Sequence, residues 1–164
     1  KRNGEKAYAT DGGTHAPLII NCPGTIPPGI ISDDLVDFSD LLPTIADITE
    51  VDLPKVKLDG RSFWPQCLGK PGNPREYIFQ YYYPKFKPAA DKHGQGVNGL
   101  EIVWAQNQRH KLYRDGTLYS LNDRQENNPI KQGNQNQVEL DRKLLQKALD
   151  SMPKKAAKLS PVKR

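Results

Sequence analysis

Lys6 stands six and seven residues ahead of the pair Gly12-Gly13, with Asp11 just before the glycines and His15 just after them. Asp11-Gly12-Gly13 is a turn signal, because two glycines accept positive φ and a close backbone approach. Leu18-Ile19-Ile20 follows as an unalternated apolar run, which predicts a strand covered on both faces, and Pro23-Gly24 stops it. A lysine on a turn feeding such a strand is held at the rim of a sheet, where a fixed cation can meet an anion. An ammonium preorganised there stabilises negative charge as it builds on a reacting group. A lone lysine in a polar leader is more often simply solvated. For His15 the alternatives are a donor at the rim of a site and a ring that anchors the turn, and the anchor is the simpler account. The same holds for Asp11, which could orient Lys6 by charge but is more economically a turn aspartate.

The elements that must position these residues follow from the pattern downstream. Pro23 to Gly29 is too rich in proline and glycine for regular structure. A short strand is predicted around Leu35 to Phe38. Ser39 or Asp40 then caps a helix in which Leu41, Leu42, Ile45, Ala46 and Ile48 recur at helical spacing, packing one face on a core and ending near Thr49 or Glu50. Ser62 caps a short helix over 63–68, closed by Gly69 and Pro71. Tyr77, Phe79, Tyr81 and Tyr83 alternate, the pattern of a strand over 76–83. Ile102-Val-Trp104 and Lys111-Leu-Tyr113 read as short strands, and Asp115-Gly116 as a hairpin turn into Thr117 to Leu121. Asn122 to Gln137 is polar and irregular. Val138, Leu140, Leu144, Leu145, Ala148 and Leu149 mark one face of a final helix that Pro153 ends.

Composition narrows the chemistry further. The 164 residues carry net charge +5, and their mean hydropathy is −0.74. A basic excess suits anionic partners, but the lysine-rich C-terminus has no interleaved aromatics and reads as a solvated tail. No run approaches the ~18 apolar residues of a membrane span. Two cysteines make neither a disulfide framework nor a zinc site. Cys22 and Cys67 are expected to be small apolar core residues. Asp33-Asp34 superficially resembles a calcium-binding acidic pair, but acids ahead of a helix favour its N-terminus without any metal. Arg109, His110 and Lys111 on a predicted strand read as a solvated basic face. Pro84 to Gly99, with three lysines, His93, two prolines and three glycines, reads as an exposed loop.

Taken in order, several of these pieces resemble the type I sulfatase family of the alkaline-phosphatase-like superfamily. They are Lys6 with Gly12-Gly13, His15-Ala-Pro17 and the apolar run into Pro23-Gly24, then Ile31-Ser-Asp-Asp-Leu-Val36, Asp40-Leu-Leu-Pro-Thr44 and Asp59-Gly-Arg-Ser62. Arg109-His-Lys-Leu-Tyr113 and Leu118-Tyr-Ser-Leu-Asn-Asp123 complete the series, so that it covers most of Lys6 to about Met152. The resemblance implies an α/β fold: the C-terminal part of a sulfatase, with the edge of a large mixed sheet and a small antiparallel sheet packed by a C-terminal helix. Residues 1–74 would end the catalytic α/β domain, 75–152 would form the small subdomain, and 153–164 a basic tail. Arg61 would be an ion-pair or backbone anchor in a structural turn.

It also implies hydrolysis of sulfate esters by a hydrated formylglycine held on calcium. Lys6 occupies the register of the family's sulfate-binding lysine. His15 stands where the family more often carries arginine. Lys87, Lys92 and His93 lie in the subdomain that helps form the substrate cleft in similar enzymes, and are expected to contact substrate. The calcium ligands lie upstream of the Lys6 position in the family. Neither Cys22 nor Cys67 sits in the Cys/Ser-X-Pro/Ala-X-Arg context that yields formylglycine. The expectation is therefore a C-terminal fragment, inactive alone, whose partners are its N-terminal sulfatase segment and a sulfated small molecule or glycan, with no nucleic acid. Such enzymes are commonly periplasmic or extracellular. Two other readings compete: a non-catalytic basic module binding acidic glycans, and a phosphate-ester hydrolase or transferase of the superfamily. The second shares the sheet but not the Lys-X5-Gly-Gly turn.

Overall fold

Ile78–Tyr82 (β1), Ile102–Gln106 (β2), His110–Tyr113 (β3) and Leu118–Ser120 (β4) form one four-stranded sheet in the order β1-β2-β3-β4. They belong to a computed structural model that describes residues 8–82, 101–131 and 136–152. The chain divides into two units, Lys1–His15 with Phe79–Arg164, and Ala16–Ile78. Among the described residues no helix is long and apolar enough to cross a membrane.

In the sheet unit, local chemistry sets each turn. Asn107 closes the antiparallel β2–β3 hairpin, since its side-chain oxygen accepts from the backbone N–H groups of Arg109 (2.9 Å) and His110 (2.8 Å). Gly116 supplies the positive φ of +90° that the tight β3–β4 turn requires, and Thr117 N–H donates to Asp115 Oδ1. Ala9, Ile102, Trp104, Tyr113 and Tyr119 pack into one cluster with Tyr82 against it. Asn136–Ser151 (α4) packs on β2 and β3 with Val138, Leu145, Ala148 and Leu149 buried. Each such aliphatic side chain contributes roughly 1.5–3 kcal/mol when fully buried. Leu140, expected on that face, is exposed, and Asp141 is buried in its stead. The helical stripe runs 138, 141, 145, 148 at spacings of three and four, and position 140 falls off it.

Ala16–Ile78 is organised around a carboxylate. Phe38–Asp40 forms a 3-10 turn, with Asp37 and Asp40 in a reciprocal capping box. Leu41–Thr49 (α2) follows and stops at Glu50 in the left-handed conformation (φ 55°). The Asp40 carboxylate accepts from Arg61 N–H (2.8 Å), Asp37 N–H (2.8 Å) and Arg75 Nε (2.7 Å), with Arg75 Nη2 on its other oxygen. Arg61 Nη1 also donates to Pro74 O at 3.3 Å, so Arg61 is the backbone anchor expected of it. Gly60 is required for this closure, because a Cβ there would stand 1.8 Å from the carbonyl oxygen of Ser39. Thr44 bridges onward, donating to Asp40 O and accepting from Phe63 N–H. Trp64–Cys67 (α3) then starts with Ser62 Oγ accepting from Trp64 N–H, and Gly69 follows at positive φ.

Several sequence expectations fail in this unit, for one reason. Leu18 to Ile20 is not a strand and lies exposed, Ile19 by 87%. Leu35 makes only an isolated bridge to Arg75, so the strand expected around Leu35 to Phe38 is absent. The apolar side of α2, with Leu42, Ile45 and Ile48, faces solvent, and Cys22 is exposed rather than core. Apolar pattern calls for burial but does not supply the surface that does the burying. Among the described residues of this unit, that surface is missing.

Candidate functional site

The loop after Lys6 is held from below by the sheet. Asp11–Thr14 (α1) makes one helical turn where the glycine pair predicts a simple turn, and His15 N–H donates to Asp11 O at 2.8 Å. Ala9, Thr10 and Asp11 are buried. Beneath them lies Lys111 on β3, whose side chain is 0% exposed, paired at 2.9 Å with Glu126, 1% exposed. Lys111 Nζ also donates to Ala9 O, and sits 4.4 Å from the centre of the Trp104 ring. Tyr113 OH donates to Glu126 Oε2 at 2.5 Å and approaches Ala9 O at 3.3 Å. Glu126 Oε1 in turn accepts Asp11 N–H at 3.1 Å. Glu126 reaches this position from a left-handed residue (φ 54°) just past β4.

Asp11 is the second tie. Its Oδ2 accepts from Arg124 Nε at 3.0 Å, and Arg124 O accepts Gly12 N–H at 3.3 Å. His15 Nδ1 lies 3.3 Å from Asp11 Oδ1 with the ring 62% exposed, close enough to attract when protonated but without hydrogen-bond geometry. His15 therefore braces the turn through its backbone, and its ring stays accessible at the loop's edge. A third polar cluster fastens α4 to β3: Arg109 grips Asp141 with two nitrogens, and His110 Nδ1 lies 2.7 Å from Asp141 Oδ2. Burial alone would raise the Asp141 pKa, but hydrogen bonds from Arg109, His110, Gln137 and Asn107 hold it well below the usual carboxylate range. His110 and Lys111 are thus buried, not the solvated basic face their sequence predicts, while Arg109 keeps its half-exposed guanidinium on Asp141.

Residues 4–155 match the family model described as N-sulphoglucosamine sulphohydrolase, C-terminal. The chain belongs to this sulfatase family. Human arylsulfatase A is 37% identical over 115 residues, which are 70% of this chain and 21% of that protein. Bovine arylsulfatase A is likewise 37% identical, over 116 residues. The chain thus spans about a fifth of the length of these relatives (21%). A solved 2-O GAG sulfatase gives a TM-score of 0.47 at 20% identity, over 68% of this chain and 23% of that one.

Of the positions that the sulfatase resemblance singles out, His15 is placed by the structure beside Asp11. Lys6, Lys87, Lys92 and His93 lie outside the described residues. Among the described residues no three His, Cys, Asp or Glu side chains converge to hold a metal ion, and Asp33 is exposed while Asp34 N–H donates to Ser32 Oγ. Cys67 lies on α3, where burial pushes its thiol pKa up, away from the reactive thiolate. These residues fit neither a calcium ion nor a formylglycine. What sequence reasoning missed is the Lys111–Glu126–Tyr113 group. A lysine inside an apolar strand pattern and an acid in the loop after β4 were the available signals, but their pairing is visible only in three dimensions.

Proposed function

We propose that this chain is the C-terminal part of a sulfate-ester hydrolase, and that Lys6 is its sulfate-binding residue. One observation supports the reading: the family match runs over residues 4–155, a range that includes Lys6 and Gly12-Gly13. Sulfate-ester cleavage places negative charge on the nonbridging and leaving oxygens. A lysine ammonium in the register of Lys6 would meet that charge. His15, with an accessible ring at the same loop, supplies a second donor at the rim. Lys87, Lys92 and His93 contact the organic part of a sulfated small molecule or glycan. Calcium and formylglycine, which the resemblance implies, come from residues outside this chain. The exposed apolar side chains of Ala16–Ile78, among them Ile19, Ile31 and Phe38, are covered by the preceding segment of the same polypeptide, since the chain matches only 21% of arylsulfatase A.

The test is made on the complete polypeptide with an aryl sulfate. Lys6→Ala lowers kcat roughly 10²- to 10³-fold, as loss of one oxyanion donor does. The 164-residue chain alone gives no turnover. Cleavage of phosphate but not sulfate esters, or an unchanged rate in Lys6→Ala, overturns the assignment.

A further inference from the structure

We infer that Lys111, Glu126 and Tyr113 are positioning residues that set the Lys6 loop for sulfate binding, an inference that rests on the sulfatase reading of Lys6. A buried ion pair gains little stability over well-packed apolar residues, because both charges lose their water. Its placement here has a different result. Lys111 Nζ and Tyr113 OH converge on the carbonyl of Ala9, Glu126 Oε1 takes Asp11 N–H, and the neighbouring Arg124 takes both Gly12 N–H and the Asp11 carboxylate. Every one of these contacts lands on the backbone or side chain of 9–12, beginning three residues after Lys6. The clamp also fixes direction. An acceptor at Ala9 and a donor at Asp11 are gripped at once, so the backbone between them is held at both ends. Apolar packing alone is non-directional and would not specify those ends.

Tyr113→Phe tests this with least damage to the core, since it removes only the hydroxyl from a ring that keeps its packing against Trp104 and Tyr119. In the complete polypeptide it is expected to lower kcat/KM for an aryl sulfate roughly 10- to 100-fold, as small misplacements of a reacting group do. On a Lys6→Ala background the same change is expected to cost less than about twofold, because its effect passes through Lys6. Equal losses on both backgrounds, or none on either, overturn the inference. A second measurement separates it from the functional reading. In the 164-residue chain, Tyr113→Phe should speed hydrogen exchange of the Asp11 and Gly12 amides about tenfold while β2 and β3 stay protected. Unchanged exchange at Asp11 and Gly12, or equal loss throughout the sheet, also overturns the clamp. Faster exchange in a polypeptide that cleaves no sulfate ester leaves the clamp standing and removes the sulfatase reading instead.

Discussion

In the sheet unit Trp104, Leu112, Leu118 and Leu145 are buried, and so is a carboxylate, Glu126. In Ala16–Ile78 the buried side chains are a carboxylate, Asp40, with Pro43, Thr44 and Phe63, and most of the large apolar residues are exposed. Both units use a buried acid to tie distant backbone segments together. In the first, the acid is added to an apolar core. In the second, the hydrogen-bonded acid takes the place of such a core. Ile31 is 92% exposed and Phe38 85%. Hydrogen bonds give that unit its shape, since they are directional, but each adds only about 1 kcal/mol net. It follows that the sheet unit draws more of its stability from buried apolar surface than Ala16–Ile78 does.

The comparison can be broken at its acids, and the two tryptophans report on the units separately: Trp104 lies in the sheet unit and Trp64 in the other. The largest effect is expected from Glu126→Ala, which leaves the Lys111 ammonium buried without its counter-charge. Urea unfolding followed through Trp104 should show a loss of about 3–5 kcal/mol. A shift of under about 1 kcal/mol would mean that the pair is solvated. Asp40→Ala should cost about 3 kcal/mol in the Trp64 signal and leave the Trp104 transition where it was. If both signals move together, the units do not unfold separately.

Acid should act on the same hub. Burial alone would raise the Asp40 pKa, but Arg75 and the Arg61 and Asp37 amides lower it on balance below the ordinary 3.8. The folded state therefore holds this proton more weakly than the unfolded one. The resulting stability is complete above the ordinary aspartate range and is lost as pH falls through the lowered folded value. Trp64-monitored stability should be flat from neutral pH down to about 5 and decline below about 4, and Asp40→Asn should flatten the decline. A curve with the same acid slope in Asp40→Asn would assign the effect to other groups. The smallest effect is expected from Ile45→Glu on the exposed side of α2. In this chain it should shift stability by no more than about 0.5 kcal/mol. In the complete polypeptide it should be clearly destabilising, since there it buries a charge. Indifference in both settings would mean that α2 is never covered.

Much of the fold is legible from sequence, because local chemistry sets it. Asp115-Gly116 gives the β3–β4 turn, Ser62 starts α3, and the 138-145-148-149 stripe gives α4. Asp141 sat on that stripe as a polar residue at an apolar position, a sign of a buried charge that the pattern could have disclosed. Leu18 to Ile20 and the face of α2 were misread because apolar periodicity reports a demand for burial, whatever chain satisfies it. Glu126 and Lys111 were illegible for a different reason. Their partners at Ala9 and Asp11 are more than a hundred residues away in sequence, |i−j| of 102 for Lys111–Ala9 and 115 for Asp11–Glu126, and no local rule spans that distance.

That separation bears on how the protein is made. Synthesis runs from the N-terminus, at about 5–20 residues per second, so Ala9 leaves the ribosome several seconds before Lys111 and Glu126 exist. The loop that carries Lys6 has nothing to close on until then. A message truncated anywhere ahead of the codon for Glu126 would yield a product that retains Ala9 and Asp11 yet lacks the carboxylate that ties them to the sheet.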